Sequence, residues 1–229
     1  MKLGIMQPYF FSYIGYWQLI KAVDKYVVYD DVKYIKGGWI NRNNFLINGQ
    51  KKLFTIQLNG ASSYKKINEI EIKEDFSSFK KMLQINYAKA PFYKDCQELV
   101  ERITSFDSKN LGVFLFNSIK SIAKYLGFET EIILSSEIEN DDNLKGQEKV
   151  IHICKLLEAD EYYNAIGGQE LYNKQDFQEN GIKLSFLKTN ITPYKQLKND
   201  FVPGLSILDM MMFCSKEQIN EMLDNYELI

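Results

Sequence analysis

The stretch "DDVKYIKGGWINRNN", residues 30–44, gathers most of the groups in this sequence that could do chemistry. Two adjacent carboxylates at one site split their titrations, so that one can act as a base toward an amine or hydroxyl. Neighbours on an extended strand point to opposite faces, so only one of Asp30 and Asp31 would face a ligand, with Asp31 preferred. The other could cap the turn that follows. Lys36 could stabilise an oxyanion, Gly37-Gly38 permits close backbone approach, and Trp39 offers a stacking face. Arg42 adds a fork for phosphate or carboxylate, while Asn41, Asn43 and Asn44 supply both donors and acceptors. This mixture suits a sugar or nucleotide, whose hydroxyls need paired partners while an apolar ring face packs on an aromatic. The plainer alternative is that Asn, Gly and Trp shape the entry to a hairpin.

Three further stretches are candidates. In "QPYFFSYIGYWQL", Gln7, Pro8 and Tyr9 are assigned to a site, and Phe10, Ile14, Trp17 and Leu19 to packing. "GGQE" puts Gly167 and Gly168 where a helix would begin, which favours an anion, although a tight turn explains the pair equally well. "SSEIEND", residues 135–141, brings Ser135 and Ser136 to a third loop. Asp209, alone in the apolar "LSILDMMMFC", either faces the site or pairs with Arg or Lys.

No metal site is expected. His152 is the single histidine and is read as a surface or boundary residue; Asp30 and Asp31 have no third acid nearby. Cys96, Cys154 and Cys214 form no CxxC pair and read as buried small hydrophobes.

These groups must be positioned by the elements around them. Leu3–Met6 reads as a buried strand, Tyr13–Val23 as a mostly buried helix and "KYVVYDD" as a second strand, a βαβ unit with parallel strands. "NFLINGQKKLFTIQL" reads as a hairpin over about 40–58, turning at Asn48-Gly49, and "INEIEIK" as a further strand. Helices near 75–88, 92–105 and 110–126, the last ending at Gly127, form a helical insertion over about 74–126. The alternation then resumes with strand "ETEIILSS", a helix over 145–158, strand "EYYNAI", a short helix over 169–174 and strand "IKLSFLK". Last come the apolar helix near 205–214 and one opened by a Ser215/Gln218 capping box. The expected fold is α/β: a mostly parallel open sheet with flanking helices, plus the hairpin and the helical insertion, in a single domain over residues 1–229. Ligands of such sheets bind beyond the carboxyl ends of the strands, where all four candidate loops would lie.

The chain has 28 basic and 30 acidic residues and 45% hydrophobic residues. That balance argues against broad nucleic-acid binding, though a local patch could hold one phosphorylated ligand. No apolar window is long enough to span a membrane, and the start has no signal-peptide pattern, so a cytoplasmic protein is expected.

Taken together, "IMQPYFFSYIGYWQLIKAVDKYVVYDDVKYIKGGWINRNNFLI", "SSEI", "YYNAIGGQELY" and "LSILDMMMF" resemble the WbqC-like protein family, essentially end to end. The resemblance implies a bacterial protein of O-antigen, capsule or related surface-glycan biosynthesis that elaborates nucleotide-activated sugars. Ser12 departs from the family pattern, where Pro is expected. A fainter likeness is to the first βαβ unit of HIGH-motif nucleotidyltransferases and pantothenate synthetases, within a Rossmann-like frame. "YIGY" stands in place of HxGH, with Gly15 retained and both histidines replaced by Tyr13 and Tyr16. The leading expectation is a transferase acting on a nucleotide-linked amino sugar, forming an amide by direct transfer. No cofactor signature is evident, and acyl-CoA or ATP with Mg²⁺ are the donors the chemistry admits. An ATP-dependent acyl-adenylate-forming enzyme and a non-catalytic nucleotide-sugar-binding protein are the alternatives, and a homodimer is compatible with each.

Overall fold

The structure, a computed structural model, describes residues 1–139, 141, 143–198 and 200–229. Strand β1 (Lys2–Met6), helix α1 (Ile14–Lys21) and strand β2 (Lys25–Val28) form the expected βαβ unit. β1 and β2 pair in parallel, with Leu3 opposite Lys25 and Met6 opposite Val28. α1 is dense in apolar side chains because it is covered on nearly all sides; Trp17, Leu19 and Ile20 are fully buried.

A hairpin follows, β3 (Arg42–Ile47) and β4 (Gln50–Thr55), paired antiparallel apart from the main sheet. Its turn residues Asn48 and Gly49 both have positive φ, 52° and 73°, as a type I′ turn requires. The run "INEIEIK" is a 3-10 turn over Ile67–Glu69 followed by only two strand residues, β6 (Glu71–Ile72), which pair with β5 (Leu58–Asn59). The Lys66 amide donates to the Glu69 carboxylate at 2.7 Å there, and that local bond accompanies a turn in place of the extended strand that the alternation predicts.

Helices α2 (Ser77–Tyr87), α3 (Tyr93–Thr104) and α4 (Leu111–Leu126) come next. Asn110 caps α4 by accepting from the Val113 amide at 3.1 Å, and Gly127 ends it at φ 80°. β7 (Glu131–Leu134), α5 (Gly146–Leu156), β8 (Glu161–Ala165), α6 (Lys174–Glu179) and β9 (Lys183–Thr189) restore the alternation. The helix expected over 169–174 is replaced by a 3-10 turn at Ile166–Gly168. Asn173 then caps α6, so that helix starts later. Helices α7 (Ile207–Phe213) and α8 (Lys216–Leu223) follow, α8 opened by the Ser215/Gln218 capping box. The short β10 (Tyr226–Leu228) has no counterpart in the expectations.

The main sheet has the order β10-β9-β8-β1-β2-β7, parallel throughout except for β10 at one edge. The chain builds outward from β1 through β2 to β7, then returns to β8 on the other side of β1. The strand order therefore reverses between β1 and β8.

Phe10, Ile14, Trp17 and Leu19 are buried, as the packing role expected of them requires. Phe10 and Phe11 enter a cluster with Phe45, Phe54 and Phe79, with ring centroids 4.8 Å apart for Phe54–Phe79 and 5.3 Å for Phe10–Phe79 and Phe45–Phe79. This cluster joins the loop after β1 to the hairpin and to α2. Gln7 and Tyr9 are left half-buried at the sheet's carboxyl edge, whereas Pro8 is buried.

Candidate functional site

The carboxyl edge carries two arrangements. Over β2 and β7, Asp30 and Asp31 meet the 3-10 turn Ser135–Glu137. Asp30 is buried and its carboxylate is saturated. Oδ1 accepts from the Ser135 hydroxyl at 3.0 Å and the Ser136 amide at 3.1 Å. Oδ2 accepts from the Ser136 hydroxyl at 2.8 Å and the Asn68 amide group at 3.2 Å. The α4 N-terminus packs against it closely enough that a Cβ on Gly112 would lie 3.3 Å from Asp30 Cβ.

Asp31 is buried beside it, but with a cation. Lys149 on α5 donates to Oδ2 at 2.7 Å, with both side chains 6% exposed, and the single Ser135 hydroxyl proton is shared between Asp31 Oδ1 and Asp30 Oδ1. Lys149 Nζ also lies 5.6 Å from the centroid of the Tyr29 ring. Burial alone would raise the Asp31 pKa. The bonds from Lys149 and Ser135, with the Lys149 and Lys66 charges, outweigh it and hold the carboxyl below 3.8. Of the two acids, Asp31 is thus the one engaged by a cation, Lys149, and Asp30 the one held by neutral donors. The node joins the ends of β2 and β7 to α5 through direct bonds between its members.

Other residues singled out in residues 36–43 also turn inward on the protein. The Arg42 guanidinium donates from Nε to the Gly38 carbonyl at 2.8 Å and from Nη2 to the Gly37 carbonyl, so its fork shapes its own turn. Asn43 Nδ2 donates to the carbonyls of Phe10 and Phe11 at 3.0 and 2.9 Å, tying the hairpin to the loop after β1. Asn41 accepts from the Tyr34 hydroxyl at 2.8 Å and donates to the Ile56 carbonyl at 2.8 Å. For these three the hairpin-shaping alternative describes the contacts. Lys36 and Trp39 remain exposed on the outer side of the turn, without a contact to the carboxylate node among the described residues.

The second arrangement lies over β1 and β8, where the strand order reverses. Tyr13 precedes α1 and leaves the helix's first turn without a side-chain cap. Gly15 is required there: a Cβ would lie 2.4 Å from Thr189 Oγ1 and 2.6 Å from the Tyr13 hydroxyl. Tyr9 stacks near Tyr16, with ring centroids 5.5 Å apart, and the Tyr16 hydroxyl donates to the Gln7 carbonyl at 3.1 Å. Burial, then the neighbouring Tyr13, raises the Tyr9 pKa above 10, so its hydroxyl stays neutral and able to donate. From β8, the turn Ile166–Gly168 brings Gly167, exposed, and Gly168, whose Cβ would press on Asn164 at 2.9 Å. Parallel sheets expose ligand-binding loops where their strand order reverses, so this is the better placed of the two arrangements. Of the candidate site residues read from sequence, Gln7, Tyr9, Gly167 and Gly168 belong to these loops. In the sequence Tyr13 and Gly15 stand out only at the HxGH-like positions, and Thr189 is not singled out.

The remaining acid, Asp209 on α7, meets neither expectation. It is fully buried and takes three neutral donors, the hydroxyls of Tyr87 at 2.9 Å and Tyr194 at 2.6 Å and the Gln196 amide at 2.7 Å. Burial raises its pKa above 3.8, and the three hydrogen bonds only partly restrain the rise. Tyr194 also borders a slot of about 30 Å³, with Tyr13, Ile14, Ile191 and Phe201 around it, room for a single water beside the first turn of α1. Larger grooves lie elsewhere. Those of about 500 and 560 Å³ open beside the amino ends of β9 and β2, at the opposite edge of the sheet. Asn140, within the loop 135–141, lies outside the described residues. Among the described residues no cluster of His, Cys, Asp and Glu could hold a metal ion, and no helix is long and apolar enough to cross a membrane.

A mostly parallel six-stranded sheet, helices flanking it and loops gathered at its carboxyl edge define an α/β protein. The chain belongs to the WbqC-like protein family, whose model matches residues 7–221. It is 26% identical over 215 residues to the uncharacterized protein Rv1507c of Mycobacterium tuberculosis, covering 92% of each chain. No solved structure matches the chain.

Proposed function

We propose that this protein binds a nucleotide-activated sugar over the β1–β8 reversal and transfers a group to it, with amide formation on an amino sugar as the reaction. One observation carries the reading: the first turn of α1, which has no side-chain cap and on which Tyr13 and Thr189 close over Gly15, sits where the order of the parallel strands reverses. Backbone N–H groups there suit a phosphate, and Tyr9, Tyr13 and Gln7 suit a base or sugar ring with its hydroxyls. The loop after β8, at Gly167, would form the opposite wall.

Direct transfer from an activated donor fits better than a covalent enzyme intermediate. All three cysteines are buried, and burial pushes their thiols up to about 12 for Cys96 and Cys154 and about 11 for Cys214. None supplies a thiolate at neutral pH. An adenylate-forming reaction is less well supported. Tyr16, in the place of the second histidine of HxGH, is buried and donates its hydroxyl to the Gln7 carbonyl, and a neutral tyrosine brings no positive charge to a triphosphate.

The test is a thermal-shift screen against UDP-, GDP- and dTDP-linked sugars, amino sugars included, beside ATP and acyl-CoA. A specific nucleotide sugar should raise the melting temperature by mass action. Tyr13→Phe should weaken that shift, and Gly15→Ala, whose methyl displaces Tyr13 or Thr189, should abolish it. A shift with ATP alone would replace the transferase by the adenylate-forming reading. Binding of a nucleotide sugar without turnover in the presence of any acyl donor would leave a binding protein.

A further inference from the structure

From Val32 to Asn68 the sequence holds seven Lys and Arg residues and no Asp or Glu; all 30 acidic residues of the chain lie outside this stretch. In space Glu69, on the Lys66 amide, and Glu71, opposite Asn59, border this stretch on the β5 side, and the loops carrying Lys33, Lys36 and Lys65 supply the excess of positive charge. Part of the stretch is the hairpin. The other part is a pair of loops placed side by side, since Lys33 bridges Lys66 and the Tyr34 amide donates to the Lys65 carbonyl at 2.9 Å.

The outer side of these loops is both cationic and apolar. Tyr34 is buried and anchored inward through Asn41, while Lys33, Lys36 and Lys65 are exposed. Between the lysines stand Ile35, 53% exposed, Trp39, 46% exposed, and Tyr64, 88% exposed. The Ile35–Gly38 turn is stiff: the Gly38 amide donates to the Ile35 carbonyl at 3.0 Å, Gly37 holds φ 79°, and Arg42 bonds both glycine carbonyls from beneath. Trp39 is therefore presented by a braced turn, with Arg42 Cζ 5.8 Å from its ring centroid. Scattered exposed apolar groups need no explanation, but a set carried on loops joined by backbone bonds and interleaved with lysine does.

We propose that this lobe docks on an anionic lipid surface, with Lys33, Lys36 and Lys65 against the headgroups and Ile35, Trp39 and Tyr64 entering the interface. Lysines within a Debye length of an anionic leaflet attract it additively, and Trp and Tyr favour the depth where an apolar ring meets water. A nucleic acid is the poorer fit. The one arginine of the lobe spends its fork on its own turn, and an exposed isoleucine has no partner on a phosphate backbone.

The sequence has two tryptophans, and Trp17 is fully buried, so a change of emission on vesicle binding reports Trp39. The purified protein is mixed with phosphatidylcholine vesicles, with or without phosphatidylglycerol, and read by co-sedimentation and tryptophan emission. The expected result is sedimentation and a blue shift with phosphatidylglycerol only. Sedimentation should weaken at least about tenfold in Lys33→Glu/Lys36→Glu/Lys65→Glu. Ile35→Ser/Tyr64→Ser, with its charges kept, should lose the blue shift and the binding that survives high salt. Unchanged far-ultraviolet dichroism and melting temperature keep both variants interpretable. No sedimentation with phosphatidylglycerol, sedimentation unaffected by the lysine changes, or retention of tRNA by the same lysines while vesicles are ignored would each overturn the proposal.

Discussion

Asp31 and Asp209 are both packed away from water, yet their surroundings drive them in opposite directions. Asp31 has Lys149 at 2.7 Å and stays ionised below its ordinary range. Asp209 has three neutral donors instead, and burial raises its pKa despite them. Burial acts with the same sign on both. What differs is whether a cation is buried with the carboxylate, and that decides which node depends on charge and which on hydrogen bonds.

The contrast can be broken most severely at Lys149. Lys149→Met leaves Asp31 buried without its cation and should cost about 3–5 kcal/mol in urea unfolding at pH 7. Asp31→Leu/Lys149→Met should recover most of that loss, because the pair is then replaced by apolar packing. At the other node no cation faces the carboxyl, so a single change removes a hydrogen bond and no counter-charge. Tyr194→Phe removes one hydrogen bond to Asp209 and should cost about 1.5 kcal/mol.

The smallest effect is a difference of slope with pH. Asp31 titrates below 3.8 in the folded chain, so its stabilisation is present above that value and is lost as pH falls through the folded pKa. Asp209 titrates above 3.8, so its ionisation opposes folding as pH rises from there through the folded pKa. The stability gap between wild type and Asp31→Asn should therefore narrow on acidification. The gap between wild type and Asp209→Asn should narrow as pH rises. Parallel slopes for the two variants, measured by chemical unfolding across the acid range, would remove the distinction.

Much of the frame was legible in the sequence because its signals are local. Alternation of apolar strands and helices, Asn48-Gly49, Gly127 and the Ser215/Gln218 box each act within a few residues, and each is found where expected. β10 was missed because three strand residues at an edge have no pattern of their own. The node partners were missed for another reason. Lys149 lies 118 residues from Asp31, and Tyr87 lies 122 from Asp209, with nothing in either local stretch to announce the pairing. Arg42 and Asn43 are instructive in reverse. Their side chains could serve a ligand or a turn, and only the positions of the Gly37, Phe10 and Phe11 carbonyls show which groups they hold.

The bond from Asn43 makes one segment's shape the property of another. Phe11 holds φ 43°, a conformation that a bulky side chain does not adopt unaided, and its carbonyl is fixed by an amide 32 residues further along. The turn that leads into α1 is therefore upheld from outside its own stretch, by a hairpin that is not part of the main sheet.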